Sequence, residues 1–216
     1  MIILDGYNGG GTDFYDNFNR ANGEIGNGWT DGNTGATDPV INSNVVRYQL
    51  PNANTPTPIG EIRRTPSFSD IYIVSFDFNF VSYTLQPYIS FSPNGTRGST
   101  GVFQINKNSI AASSEIIINY TGGGSASTTK TINDNTWYTV KAYLRNYGLI
   151  GGINQADWKL KVWERGTPEP GWDLEENLQP QGAIFERLFI DVGLWNFETT
   201  DPDVIVDIDN FHLFTE

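Results

Sequence analysis

Between Asp157 and Trp172 the pattern of apolar and polar positions passes from strict alternation to turn chemistry. Trp158, Leu160 and Val162 fall on one face of an extended chain, and Lys159, Lys161 and Trp163 on the other, as a strand with one buried side requires. Glu164 to Trp172 then brings two prolines and two glycines, which end the strand. The same period of two runs through Ile71–Phe80, where Val74, Phe76, Phe78 and Phe80 oppose Ser75, Asp77 and Asn79. It recurs over Trp137–Arg145: Tyr138, Val140, Ala142 and Leu144 form the core face, while Trp137 and Tyr143 are placed on the other.

Weaker versions of this signal predict strands within Asp13–Arg20, Val40–Leu50, Gln86–Ser92, Gly101–Asn106, Glu115–Tyr120, Ser127–Ile132, Ile184–Trp195 and Val204–Phe214. Trp29 reads as a core plug at the edge of the fold. Pro51, Pro56 and Pro58 break regular pairing after Leu50. Leu174–Gln179, with Glu175 and Glu176 near its start and Pro180 beyond it, is the one stretch predicted as a short helix. In the last strand Val204, Val206 and Ile208 share one parity and Phe211 and Leu213 the other, a phase slip that predicts a bulge near Asp209–Asn210. About a dozen strands with almost no helix predict an all-β antiparallel β-sandwich of jelly-roll type. Residues 1–12, apolar at Ile2, Ile3 and Leu4 and glycine-rich afterwards, read as a flexible arm that docks on a partner; residues 13–216 read as a single domain.

Composition narrows the function. With 25 acidic against 13 basic side chains the net charge is −12, which argues against nucleic acid and anionic membranes as partners. No cysteine is present, so disulfides, thiolate metal sites and cysteine nucleophiles are excluded, and one histidine makes a transition-metal site a poor fit. His212 reads as a hydrogen-bonded strand histidine. No run is long enough for a membrane-spanning helix, and the N-terminus lacks the pattern of a secretory signal.

The strand Leu160-Lys161-Val162-Trp163 with its Gly166-Thr167-Pro168-Glu169-Pro170-Gly171-Trp172 turn, the opening Asp16-Asn17-Phe18-Asn19-Arg20 with Gly28-Trp29, and the closing Val206-Asp207-Ile208-Asp209-Asn210-Phe211 together resemble concanavalin A-like (lectin/glucanase, laminin-G-like) jelly-roll domains of bacterial and phage proteins. The resemblance implies a structural Ca²⁺ between the first and last strands, with Asp16 and Asp209 at the matching positions; the alternative is that Asp16 pairs with Arg20 and Asp209 marks the bulge. It also raises glycoside hydrolysis, but the E-x-D-x-x-E strand pattern of the β-glucanases is absent, so no catalytic residues are assigned. For carbohydrate binding the candidate aromatic planes are Trp137, Tyr143, Trp163, Trp172 and Trp195. From the acidic, self-contained sandwich without an enzyme signature, the expectation is a non-enzymatic virion surface protein. It would act by docking on other virion proteins or on copies of itself, as a homo-oligomer located in the virion. A lectin-like carbohydrate-binding module is the alternative and a glycoside hydrolase the third reading.

Overall fold

The computed structural model describes residues 13–31, 38–50, 59–64, 70–82, 86–92, 102–107, 113–120, 124–180, 188–194 and 204–215. These contain fifteen strands and no helix: β1 Asp13–Asp16, β2 Thr30–Asp31, β3 Val40–Asn42, β4 Val45–Leu50, β5 Ile59–Arg64, β6 Ile71–Ser82, β7 Pro87–Ser92, β8 Val102–Asn106, β9 Ser113–Asn119, β10 Ser125–Thr131, β11 Tyr138–Ile150, β12 Ile153–Glu164, β13 Leu174–Pro180, β14 Leu188–Leu194 and β15 Val204–Thr215. One sheet runs β13-β12-β11-β6-β15-β4-β3, with β1 also on β15; the other runs β10-β9-β8-β7-β14-β5-β2. Every pairing is antiparallel.

The alternation in β6 decides the layering. Tyr72, Val74, Phe76, Phe78 and Phe80 are buried in the core, so Ile73, Ser75 and Asp77 must point to the opposite face. Cross-strand partners repeat this choice: Phe76 lies opposite Val140, and Ser75 opposite both Lys141 and His212. Between the sheets, Phe76 meets Phe91 edge to face at 5.0 Å, and Phe103 of the second sheet meets Trp158 of the first at 5.4 Å. Trp29 plugs the end of this core against Phe211 at 4.9 Å.

The bulge in β15 falls where the parity slips. Register shifts between Asp209 and His212, and Asn210 sits at φ +49°, a left-handed conformation that asparagine tolerates better than most residues. The helix expected over Leu174–Gln179 is instead strand β13, with Leu174 opposite Leu160 and Glu176 opposite Trp158. Completing the open edge of β12 outweighs the local preference of this acidic stretch. Strand β5 was not expected, because the prolines before it mask a short run that pairs between β14 and β2. The first strand is shorter than expected, since the chain leaves β15 after Asp16 and turns at Phe18, φ +50°. Ile117 is only half-buried, whereas Ile116 and Ile118 are in the core.

Gly60 has a packing role. A Cβ there would lie 2.7 Å from the ring of Tyr48, which is fully buried and bonded to the Ile190 carbonyl. Gly60→Ala is expected to destabilise the fold by about 1–3 kcal/mol through overpacking, read as a lower urea midpoint at unchanged slope.

Candidate functional site

On the solvent side of the larger sheet, three neighbouring strands bring polar side chains into one row. Asp77 of β6 lies directly opposite Asp209 of β15 and Thr139 of β11, and β15 places Asn210 and His212 further along the same face. Strand β1 adds Asp13 and Tyr15, because Tyr15 is the register partner of His212. From the far side, β12 contributes Trp163, and the chain after it folds back over the sheet with Arg165, Gly166, Thr167 and Glu169. Together these residues line a groove of about 980 Å³, a size that fits an oligosaccharide.

The wall after Trp163 is tied down at several points. Arg165 N donates to the Trp137 carbonyl at 2.9 Å, Thr167 Oγ1 to the Glu164 carbonyl at 2.7 Å, and Lys161 Nζ to the Pro170 carbonyl at 3.2 Å. Glu169 pairs with Lys141 at 3.0 Å and Lys161 at 2.5 Å. Burial pushes the Glu169 carboxyl up, but the hydrogen bonds and charges of the two lysines outweigh it and leave its pKa below the ordinary value. Arg165 Nε donates to Asp77 at 3.1 Å, and its Nη1 reaches Asp209 at 3.5 Å.

On the opposite side, Tyr15 OH donates to Asn210 Oδ1 at 2.9 Å, and the Tyr15 ring meets the His212 ring nearly edge-on at 6.3 Å. His212 Nε2 contacts Asp13 Oδ1. With Nε2–H directed at that carboxylate, a neutral imidazole keeps Nδ1 as its basic nitrogen. Burial pushes the Tyr15 hydroxyl up, and repulsion from Asp209, Asp77 and Asp16 adds to this against the opposing charge of Arg165. Burial likewise raises Asp209, with Asp77 adding to it, while the Asn210 backbone N–H and Arg165 oppose the shift. The arrangement therefore offers a phenol that keeps its proton, an oriented imidazole, and the Arg165 and Asn210 donors in one groove.

The residues proposed from sequence are distributed unevenly around this groove. Trp163 lines it. Trp137 lies beneath Arg165 at 5.5 Å, Tyr143 beside Lys159 at 5.8 Å, and Trp172 beneath Lys161 at 4.3 Å, so each has a cation over its ring. Trp195 and the arm residues Ile2, Ile3 and Leu4 lie outside the described residues. The two proposed calcium ligands do not meet. Asp16 is buried beside Trp29, with both oxygens engaged by Arg20 at 2.8 and 2.9 Å and further bonds from Asn27, Trp29 Nε1 and the Phe18 N–H. Asp209 instead faces Arg165 in the groove. Among the described residues no cluster of three or more histidines or acids could hold a metal. Asp16 is paired with Arg20 and Asp209 lies at the bulge, the arrangement set out from sequence as the alternative to a shared Ca²⁺.

Asp13, Tyr15, Asp77, Arg165, Asn210 and His212 were not singled out as functional from sequence. They come from four separate segments and meet through strand register and the turn after β12; the parity slip at Asp209–Asn210 was the sequence signal that marked the spot.

No family model and no curated protein matches the chain. Solved structures do. A double mutant of alginate lyase Aly36B in complex with alginate trisaccharide is similar at 14% identity over 94% of this chain and 98% of the other, TM-score 0.54. A glycosyl hydrolase family protein from Mycobacterium fortuitum is similar at 12% identity, 93% and 98% coverage, TM-score 0.59. Lectin II from Ulex europaeus is similar at 9% identity, 95% and 99% coverage, TM-score 0.53. The expectation of a non-enzymatic virion protein is overturned by this company of enzymes and lectins. That expectation rested on an acidic single sandwich with a glycine-rich arm, without a secretory signal or the strand motif of carboxylates, whereas the polar groups of this groove are assembled across strands. The chain has the concanavalin A-like jelly-roll fold.

Proposed function

We propose that this chain cleaves a uronate-containing polysaccharide by β-elimination in the groove. The observation that carries the reading is the meeting there of His212 with Asp13, of Tyr15, and of Arg165 with Asn210. Elimination needs a base for the proton on the carbon next to the sugar carboxylate, donors to hold the negative charge that gathers on that carboxylate, and an acid for the leaving oxygen. His212 takes the proton, and the electron pair is held as an enolate by Arg165 and the Asn210 amide. The pair then forms the ring double bond as the glycosidic carbon–oxygen bond breaks. Tyr15, held as a donor by Asn210 Oδ1, turns its O–H to the departing oxygen, gives it the proton and is reprotonated from His212 or water. Alginate is itself a polyuronate, and the similarity to an alginate lyase fold supports this choice.

Incubation with a panel of uronate polysaccharides tests the reading. Elimination produces a conjugated unsaturated uronate, seen as rising ultraviolet absorbance in step with new chain ends. New reducing ends without absorbance would mean hydrolysis instead, and saturable binding without cleavage would mean a lectin-like role; either outcome overturns the reading.

The net charge of −12 has a kinetic consequence. A polyanionic substrate is repelled at long range, so the initial rate at low substrate is expected to rise as ionic strength goes from about 0.01 M to about 0.15 M, where the screening length falls from about 30 Å to about 8 Å. A neutral glycan would show no such rise.

A further inference from the structure

We propose that Asp77 is the positioning residue of this groove: it locks the side-chain amide of Asn210 in one orientation and thereby holds Tyr15 as a hydrogen-bond donor. The catalytic arm of this inference rests on the elimination reading; the hydrogen-bond arm does not.

Asp77 occupies an unfavourable position. It lies directly across from Asp209 in the β6–β15 register and is 6% exposed, so two like charges face each other with little water between them. Three donors offset this. Thr139 Oγ1 donates to Oδ1 at 2.6 Å, while Asn210 Nδ2 and Arg165 Nε donate to Oδ2 at 2.8 and 3.1 Å. Asp77 is thereby saturated by protein donors, and it serves the site through the groups it holds.

The consequence for Asn210 follows from hydrogen-bond polarity. An ionised carboxylate only accepts, so the amide must turn its Nδ2 toward Asp77, which leaves Oδ1 facing Tyr15. A phenol can donate or accept, but against a carbonyl oxygen at 2.9 Å it has to donate. The Tyr15 proton is therefore specified by a carboxylate it does not touch, through one intervening amide. The bulge makes the relay possible, since Asn210 reaches both partners from its left-handed backbone at φ +49°. The charged and titratable groups facing Tyr15 are Asp209, Asp77, Asp16 and Arg165, with His212 edge-on and Asp13 behind it.

Two variants separate this relay from plain repulsion by Asp77. Asp77→Asn removes both the charge and the lock, because an amide at 77 can present a donor or an acceptor. Asn210→Ala removes the relay and leaves the charge. Each is titrated without substrate by NMR of tyrosine labelled at the hydroxyl-bearing carbon, with the Tyr15 signal assigned through Tyr15→Phe and folding checked by circular dichroism. The midpoint for Tyr15 is expected to fall in both variants. An unchanged midpoint in folded Asn210→Ala would reduce the effect to through-space charge, and an unchanged midpoint in folded Asp77→Asn would remove Asp77 from the account; either result overturns the proposal. On a uronate polysaccharide Asp77→Asn is expected to lower kcat roughly 10- to 100-fold with KM within about twofold of the parent. If the parent shows no elimination, the function reading fails while the titration still decides the relay.

Discussion

His212→Ala lowers kcat on a uronate polysaccharide by about 10²–10⁴-fold and leaves the melting temperature near that of the parent, if the imidazole is the proton acceptor. The side chain is half-buried at the groove surface and packs none of the inter-sheet core, so its removal creates no cavity. Tyr15→Phe is expected to cost a similar factor, because the ring and its contact with His212 stay while the transferable proton is lost. The pH profile adds an independent check. Burial and the surrounding carboxylates raise Tyr15 above its ordinary value, so a Tyr15 acting as acid keeps its proton through the neutral range, and the alkaline fall in rate lies above pH of about 10. Steady-state rates across pH for the parent and both variants measure this. Full activity in Tyr15→Phe would remove the phenol from the reaction.

The second large effect concerns the fold. Asp16→Ala is expected to destabilise the protein by about 3–5 kcal/mol, since it leaves the Arg20 guanidinium, Trp29 Nε1 and the Phe18 N–H without their shared acceptor in a buried setting. That corresponds to a melting temperature lower by on the order of 10 °C for a chain of this size. Its pH dependence has a definite sign. Burial pushes the Asp16 carboxyl up, but the hydrogen bonds from Arg20, Asn27 and the Phe18 N–H, with the Arg20 charge, outweigh it and set the folded pKa below the unfolded one. The stabilisation is then complete above the unfolded value of about 3.9 and is lost as pH falls through the folded value. Thermal melts from neutral pH downward should show this acid-limb loss in the parent and its absence in Asp16→Asn.

The two sheets were legible because their signal is local. A strand such as β6 declares its core face by alternation alone, and the cores of β11 and β12 follow from the same period, that of β15 with one slip at the bulge. Leu174–Gln179 was misread for the converse reason: its strand state depends on the open edge of β12, a partner that composition does not announce. The site was hidden by the same logic. Trp163 could be placed on the outer face from its own strand, but the groove needs Tyr15 beside His212, a contact between residues 197 positions apart set by the β1–β15 register. Two carboxylates on one strand are a local pattern, whereas the polar groups lining this groove lie on different strands.

Binding of a short uronate oligosaccharide to Tyr15→Phe, mapped by NMR, tests most directly that this groove is where a glycan is held. Saturable shifts of the His212 ring, the Asn210 side-chain amide and the Trp163 indole are the expected result. Saturable shifts confined to the other sheet or to the β11–β12 hairpin would contradict it.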